Sequence, residues 1–366
     1  MKINRIALTG FRNYEFETVD FIPGTNVITG NNAQGKTNLL EAVYILSHGK
    51  SFRTRTDREI INFDYSSANI LADVTSHDRE QTISVEFRPG TAKKILVNGV
   101  RKTASELIGT VNTVLFCPDD LNLIKEGAAT RRRLLDNAIS QIRPQYYDIL
   151  SEFNRYYEQK TRILKDWHEK PSLLDTLDEF SDGMCRASAK LIRYRAAYTR
   201  RLDEAARSIH SDFSGSGEKL ETVYKTVSTV SDPLASAKEI YYEVMTHWEN
   251  HRKAEIDAGQ CLTGAHKDDL EISINGVPAR NFASQGQTRT AALSIKLAER
   301  EILLEETGEY PILLLDDVLS ELDSKRQEYV LNRIDKGQTL ISCCEGEEIS
   351  GRTGGKVIFI ENGRVR

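Results

Sequence analysis

Gly30-Asn31-Asn32-Ala33-Gln34-Gly35-Lys36-Thr37 is a complete phosphate-binding loop. It follows the apolar run Val27-Ile28-Thr29. It opens a segment whose apolar residues, Leu39, Leu40, Val43 and Tyr44, recur at helical spacing. Strand, loop, helix is the context in which this pattern holds a nucleotide. The glycines let successive backbone N–H groups turn inward around phosphate oxygens, and the new helix adds its positive end. Lys36 is placed to reach the terminal phosphates, and the Thr37 hydroxyl to ligate Mg²⁺. A Gly-rich turn alone would not explain Lys-Thr at the helix start.

The usual partner of such a loop stands far downstream. Ile312-Leu313-Leu314-Leu315-Asp316-Asp317 reads as a strand buried on both faces that ends in two acids. Asp316 at its tip is suited to hold Mg²⁺ opposite Thr37. Asp317 would lie beside the terminal phosphate and polarise the attacking water. Because 280 positions separate Lys36 from Asp316, the nucleotide-binding core is expected to be assembled from both ends of the chain. Between them, Ser284-Gln285-Gly286-Gln287 sits at a helix start, with Ser284 as its N-cap. This is a second phosphate-facing surface. Two chains arranged head to tail would fold both surfaces around one nucleotide more easily than one chain would.

The bulk numbers fit this reading. With 366 residues, 39% of them hydrophobic, the chain can bury a large core in about two domains. No run of about 18 apolar residues occurs, so no membrane span is expected. The start, Met1-Lys2-Ile3-Asn4-Arg5-Ile6, lacks the long apolar stretch of a signal peptide, which points to the cytoplasm. The five cysteines and seven histidines show no metal-ligand spacing. A net charge of −5 argues against a protein coated in positive charge, but local basic clusters remain available for nucleic acid. Lys50, Arg53, Arg55 and Arg58 form one, Arg131, Arg132 and Arg133 a second. Arg186, Lys190, Arg193, Arg195, Arg200 and Arg201 form a third. Any one such run is also what a solvated helix face looks like.

Residues 1–115 read mostly as strand, with Asn98-Gly99 as a hairpin turn. From Tyr146 the apolar positions step through Leu150, Phe153, Tyr157, Leu164 and Trp167, with Lys160 interrupting. After Pro171 they step from Leu173 to Ile209 in threes and fours. Two long amphipathic helices in a hairpin arm, about 30–50 Å long, are predicted. Ser214-Gly215-Ser216-Gly217 reads as a flexible turn. A helix around Ile240, Val244 and Trp248 is expected to pack back on the arm. Strands return at Leu270–Ile274, Ile312–Leu315, Thr339–Ile341 and Val357–Ile360, with a helix from about Thr288 to Glu305. The predicted organisation is an α/β P-loop NTPase head assembled from both chain ends. Residues 1–115 form its N-terminal half and 259–366 its C-terminal half, with a helical arm domain, 116–258, inserted.

Taken together, these blocks resemble the ABC-type heads of the chromosome-maintenance ATPases and, more narrowly, the RecF family. The resemblance is carried by Phe11-Arg12-Asn13-Tyr14, Gly30 through Glu41, Gly49 through Thr54 and Arg131 through Asp136. It continues in Gly264 through Leu270, Ser284 through Gln287 and Leu315 through Asp323. It implies an ATP- and Mg²⁺-dependent homodimer that binds DNA without sequence specificity. Such a protein acts with the RecR and RecO mediators to load the strand-exchange recombinase at gaps. Carried over by position, Lys36 and Thr37 bind phosphate and metal, Asp316 binds Mg²⁺ and Asp317 assists hydrolysis. Ser284, Gly286 and Gln287 cap the other protomer's γ-phosphate, and Asp323 lies at the dimer seam. The chain departs from the common ABC pattern in having Asp317 where Glu is usual. It also has Cys343-Cys344-Glu345 where a phosphate-sensing His is common, and Ala265 where Pro is more frequent. The first two departures imply slow hydrolysis, a switch rather than a motor. Lys50, Arg53, Arg55 and Arg58 rank first as the DNA face, then Arg131–Arg133, then the arm arginines. The alternatives are a transporter ATPase subunit, disfavoured by the inserted arm, and a phage-defence nuclease partner. The latter commonly carries a further domain, for which the chain after the core leaves no room.

Overall fold

A computed structural model describes residues 1–214, 217–344 and 346–366. The chain forms two compact units, one made of Met1–Asn122 with Arg289–Arg366, the other of Leu123–Thr288.

The first unit contains two six-stranded sheets. One is antiparallel, in the order β2-β1-β4-β5-β6-β7. Its strands are β1 (Lys2–Phe11), β2 (Tyr14–Asp20), β4 (Ala68–Ser76), β5 (Arg79–Phe87), β6 (Lys94–Val97) and β7 (Val100–Lys102). Strict alternation marks these strands: Ala68, Ile70, Ala72 and Val74 of β4 point inward while the residues between them do not. Asn98 and Gly99 join β6 to β7 with φ of 51° and 79°, so both central residues are left-handed as a two-residue hairpin requires. The other sheet runs β15-β14-β3-β13-β12-β8. It comprises β3 (Thr25–Thr29), β8 (Thr113–Phe116), β12 (Ile312–Asp316), β13 (Thr339–Cys343), β14 (Lys356–Glu361) and β15 (Arg364–Val365). β8, β12, β13, β3 and β14 are mutually parallel. β3, β12 and β13 are buried at every position, which is why their centres, Val27-Ile28, Ile312–Leu315 and Leu340-Ile341, are apolar. The helix α1 (Lys36–His48) shares one core with the inner residues of both sheets. The unit also holds α2 (Ala104–Leu107), α9 (Ser324–Leu331) and α10 (Gly346–Thr353).

The second unit is mostly helical: α3 (Ala128–Ile142), α4 (Pro144–Asp166), α5 (Leu177–Ser214), α6 (Ala237–Ala258) and the short α7 (Ala279–Phe282). α4 and α5 pack together, and α6 packs on α5. With 38 residues, α5 is about 57 Å long. Lys160 does not break the apolar face of α4, because its ammonium is buried 2.6 Å from the Glu255 carboxylate of α6. A three-stranded antiparallel sheet completes the unit, with β10 (Asp269–Ile274) between β9 (Leu220–Lys225) and β11 (Val277–Pro278).

This sheet moves the boundaries. The expected divisions at 115/116 and 258/259 stand against observed ones at 122/123 and 288/289. β10 pairs along its whole length with β9 and not with a strand of the parallel sheet, so residues 259–288 belong with the inserted unit. The later boundary falls inside α8 (Gln285–Thr307). β8, β9, α3 and α10 were not anticipated. Of the expected turn at 214–217, Gly215 and Ser216 lie outside the described residues.

Candidate nucleotide site and basic clusters

The phosphate loop joins β3 to α1 and is shaped by three left-handed residues, Gly30 (φ 146°), Ala33 (φ 65°) and Gly35 (φ 119°). A Cβ on Gly30 would stand 2.2 Å from the Ile360 carbonyl oxygen, so the close approach of β14 to the loop requires glycine there. The loop is held from two sides. Tyr14 Oη donates to the Gly35 carbonyl at 2.9 Å, and Asn13 Nδ2 to the Gln34 carbonyl at 2.8 Å. From the β14–β15 turn, Gly363 N donates to the same Gln34 carbonyl at 3.0 Å and Asn362 N to Gln34 Oε1 at 2.6 Å. Behind α1, the buried Glu41 receives Arg12 bidentately, at 2.9 and 2.6 Å, and Ser51 Oγ at 2.5 Å. The blocks Phe11–Tyr14 and Gly49–Thr54 thus act as braces for the loop and its helix.

Lys36 is buried, and its Nζ donates to the carbonyls of Gly30 at 2.6 Å and Asn31 at 3.2 Å. Across the sheet, Thr37 Oγ1 donates to Asp316 Oδ1 at 2.9 Å although 279 positions separate them. Ser342 Oγ donates to the same oxygen at 2.8 Å. Burial pushes the Asp316 carboxyl above the usual carboxylate range, opposed by the hydrogen bonds from Ser342 and Thr37. Asp317 has φ 50° and its N–H donates to Ser342 Oγ at 2.9 Å, which fixes where its half-buried carboxylate begins. The donor set suits a nucleotide with Mg²⁺: inward-turned N–H groups at a helix start for phosphate, and a hydroxyl beside a buried carboxylate, both hard oxygen ligands.

One member of this constellation, Ser342, was not read from the sequence, while Cys344 stands where the resemblance put a phosphate-sensing position. Ser342 lies near the end of β13 and Cys344 just past it; β13 lies between β3 and β12 and so reaches both the loop and the acids. Cys344 Sγ lies 3.5 Å from Lys36 Nζ and 3.3 Å from Asn32 Oδ1. For Ser342 the only signal was the polar end of an apolar strand, and that does not reveal strand order. Glu345 lies outside the described residues.

In the second unit, Ser284 caps α8 reciprocally. Gln287 N donates to Ser284 Oγ at 3.2 Å and Ser284 N to Gln287 Oε1 at 2.9 Å, while Gln287 Nε2 reaches Glu218 at 2.8 Å. In the first unit, Asp323 caps α9 by accepting from Arg326 N at 3.0 Å.

The basic clusters divide by burial. Lys50, Arg53, Arg55 and Arg58 are all exposed, with Arg53 held at 2.5 Å by Asn38 Oδ1. Arg131–Arg133 do not form one basic face, contrary to expectation. Arg131 is buried and bidentate on Asp269 at 2.8 and 2.9 Å, and Arg132 donates to the Asp268 carbonyl at 2.6 Å. Only Arg133 is exposed. Arg195 likewise leaves the arm cluster. It is buried on Asp136 (2.9 and 3.0 Å) and the Ala265 carbonyl (2.7 Å), beside Asp268. The Gly264–Leu270 block is therefore the anchor of a buried ion network.

The family model described as the RecF/RecN/SMC N terminal domain matches residues 2–352. The DNA replication and repair protein RecF of Acetivibrio thermocellus is 38% identical over 368 residues, covering 100% of both chains. That of Clostridium acetobutylicum is 37% identical over 368 residues, covering 100% of this chain and 99% of its own. The chain belongs to the RecF family. Among solved structures, the recombination mediator RecF with ATP, in the RecFOR pathway, is 35% identical with a TM-score of 0.91. It is matched over 100% of this chain and 96% of that one. The Smc head domain of Pyrococcus furiosus, 17% identical with a TM-score of 0.57, covers 100% of this chain and 95% of its own and shares the fold. This RecF-family chain therefore has the P-loop head of the ABC type. Among its described residues no helix is long and apolar enough to cross a membrane.

Proposed function

We propose that this chain is an ATP-gated DNA-binding protein of recombinational repair, with the ATPase as its switch. The observation that carries this is the 2.9 Å contact between Thr37 and Asp316, which builds one oxygen-lined site from opposite ends of the sequence. Lys36 and the loop amides bind the phosphates, Thr37 and Asp316 hold Mg²⁺, and Asp317 orients water. Bound Mg²⁺ would neutralise charge on the phosphates. Hydrolysis is slow, because Asp317 is one methylene shorter than Glu and a thiol, Cys344, occupies the place of a phosphate-sensing imidazole. Ser284, Gly286 and Gln287 serve the nucleotide of a second protomer, so ATP makes the dimer. Lys50, Arg53, Arg55 and Arg58 supply phosphate contacts to DNA without reading bases. RecR and RecO are its partners in loading the recombinase.

The test is mass in solution and DNA binding, measured together with and without ATP, for the wild type, Lys36→Met and Ser284→Arg. ATP should convert monomer to dimer and tighten DNA binding, and both substitutions should abolish this. Nucleotide binding with no change in mass or DNA affinity would defeat the switch.

A further inference from the structure

Phe63 is the most exposed large hydrophobic side chain among the described residues, at 106% of its reference area. The backbone that presents it is fixed. Asn62 N donates to the Gly10 carbonyl at 2.9 Å, Asp64 N to Asn62 Oδ1 at 3.0 Å, and Tyr65 N to the Asn62 carbonyl at 3.1 Å. This is an Asx turn. Its far side rests on Gly10 (φ 58°), where an added Cβ would meet Tyr65 Cβ and Cδ1 at 3.0 Å. The turn that carries Arg58, Asp57–Ile60, hangs from the same end of β1, since Arg12 N donates to the Ile60 carbonyl at 2.8 Å. The aromatic tip and the turn carrying the exposed Arg58 are therefore tied to the same end of β1, with the exposed Arg55 just before that turn in sequence.

We infer that Phe63 is a stacking contact for an unpaired nucleobase of a DNA strand whose phosphates lie on Arg55 and Arg58. The inference rests on the DNA-binding reading above. Single-strand sites pair a cationic track with an aromatic face, and every base has a face to offer. Asp64, next to Phe63, repels phosphate, so the uncharged base and not the backbone meets the tip. In a duplex the base faces are already covered by their neighbours, so Phe63 contributes there little or nothing.

The test uses the full chain with ATP and three probes of equal length: oligo(dT), the same strand with abasic spacers, and a blunt duplex. Phe63→Ala should weaken oligo(dT) binding about tenfold and leave the abasic strand and the duplex unchanged. Phe63→Trp should restore affinity, and oligo(dT) should quench its added emission while the abasic strand does not. As the side chain is exposed, neither substitution threatens folding. Unchanged oligo(dT) binding by Phe63→Ala, or equal losses on all three probes, would overturn the stacking contact alone. Loss confined to a protein partner would also overturn it. A wild type that binds none of the probes removes the DNA-binding reading as well.

Discussion

Replacing Lys160 by Met should destabilise the protein although it looks like a repair of an apolar helix face. Lys160 and Glu255 are 1% and 0% exposed, with Nζ 2.6 Å from Oε2. Removing one partner of a buried pair costs about 3–5 kcal/mol, because the other charge is left uncompensated. Glu255 would not be bare. It keeps Leu262 N at 2.7 Å, Thr263 N at 3.0 Å and Trp248 Nε1 at 3.1 Å. The lower end, about 3 kcal/mol, is therefore expected. For a unit the size of Leu123–Thr288 this lowers Tm by about 6–12 °C. Scanning calorimetry with urea unfolding would measure it. The double variant Lys160→Met, Glu255→Gln discriminates the cause. Gln keeps an oxygen for the two backbone N–H groups and removes the charge, so it should recover half or more of the loss. A double variant no more stable than the single one would refute the view that uncompensated charge, and not lost packing against Trp248, sets the cost.

Ser342→Ala removes the hydroxyl that orients Asp316 at 2.8 Å. It should reduce the Mg²⁺-dependent part of ATP affinity about tenfold, read by titration calorimetry with Mg²⁺ and with EDTA. Asp268 is fully buried, and burial raises its carboxyl from the ordinary 3.8 to about 6. The neutral form is favoured in the fold, so its contribution to stability is full below about pH 3.8 and is lost as pH rises through about 6. The stability of Asp268→Asn relative to wild type should accordingly rise between those values and level off above them, followed by urea unfolding across pH. Cys344 is the exposed thiol among the described cysteines. Iodoacetamide should modify it first, and ATP should slow that reaction; equal rates with and without ATP would separate the thiol from the nucleotide. Arg55→Glu with Arg58→Glu should weaken binding to all DNA sequences alike and flatten its salt dependence. The slope should fall by about one unit for each phosphate left without its cation.

The loop and the acidic strand were legible because each carries its own chemistry within eight residues. The arm helices were legible because α4 and α5 keep a helical apolar rhythm over 23 and 38 residues. What stayed hidden depended on pairing at a distance. Leu220–Lys225 alternates as a strand should, but only its partner Asp269–Ile274 shows which unit both serve. Thr113–Phe116 is four residues long and means little until β12 lies beside it. Arg131 and Arg195 look like surface cations in a row of arginines, and only the positions of Asp269 and Asp136 reveal that they are buried. Ser342 needed the strand order itself.

That strand order also sets a timetable. β3 is flanked by β13 and β14, so both its neighbours come from beyond residue 338. At synthesis rates of about 5–20 residues per second, an emerging β3 waits roughly 15–60 s for its first partner. For most of that interval the phosphate loop exists without Asp316, and a strand that ends up fully buried has no hydrogen-bonded neighbour. The nascent chain should therefore depend on shelter by a holding factor until its last hundred residues emerge, and only then become able to close around a nucleotide.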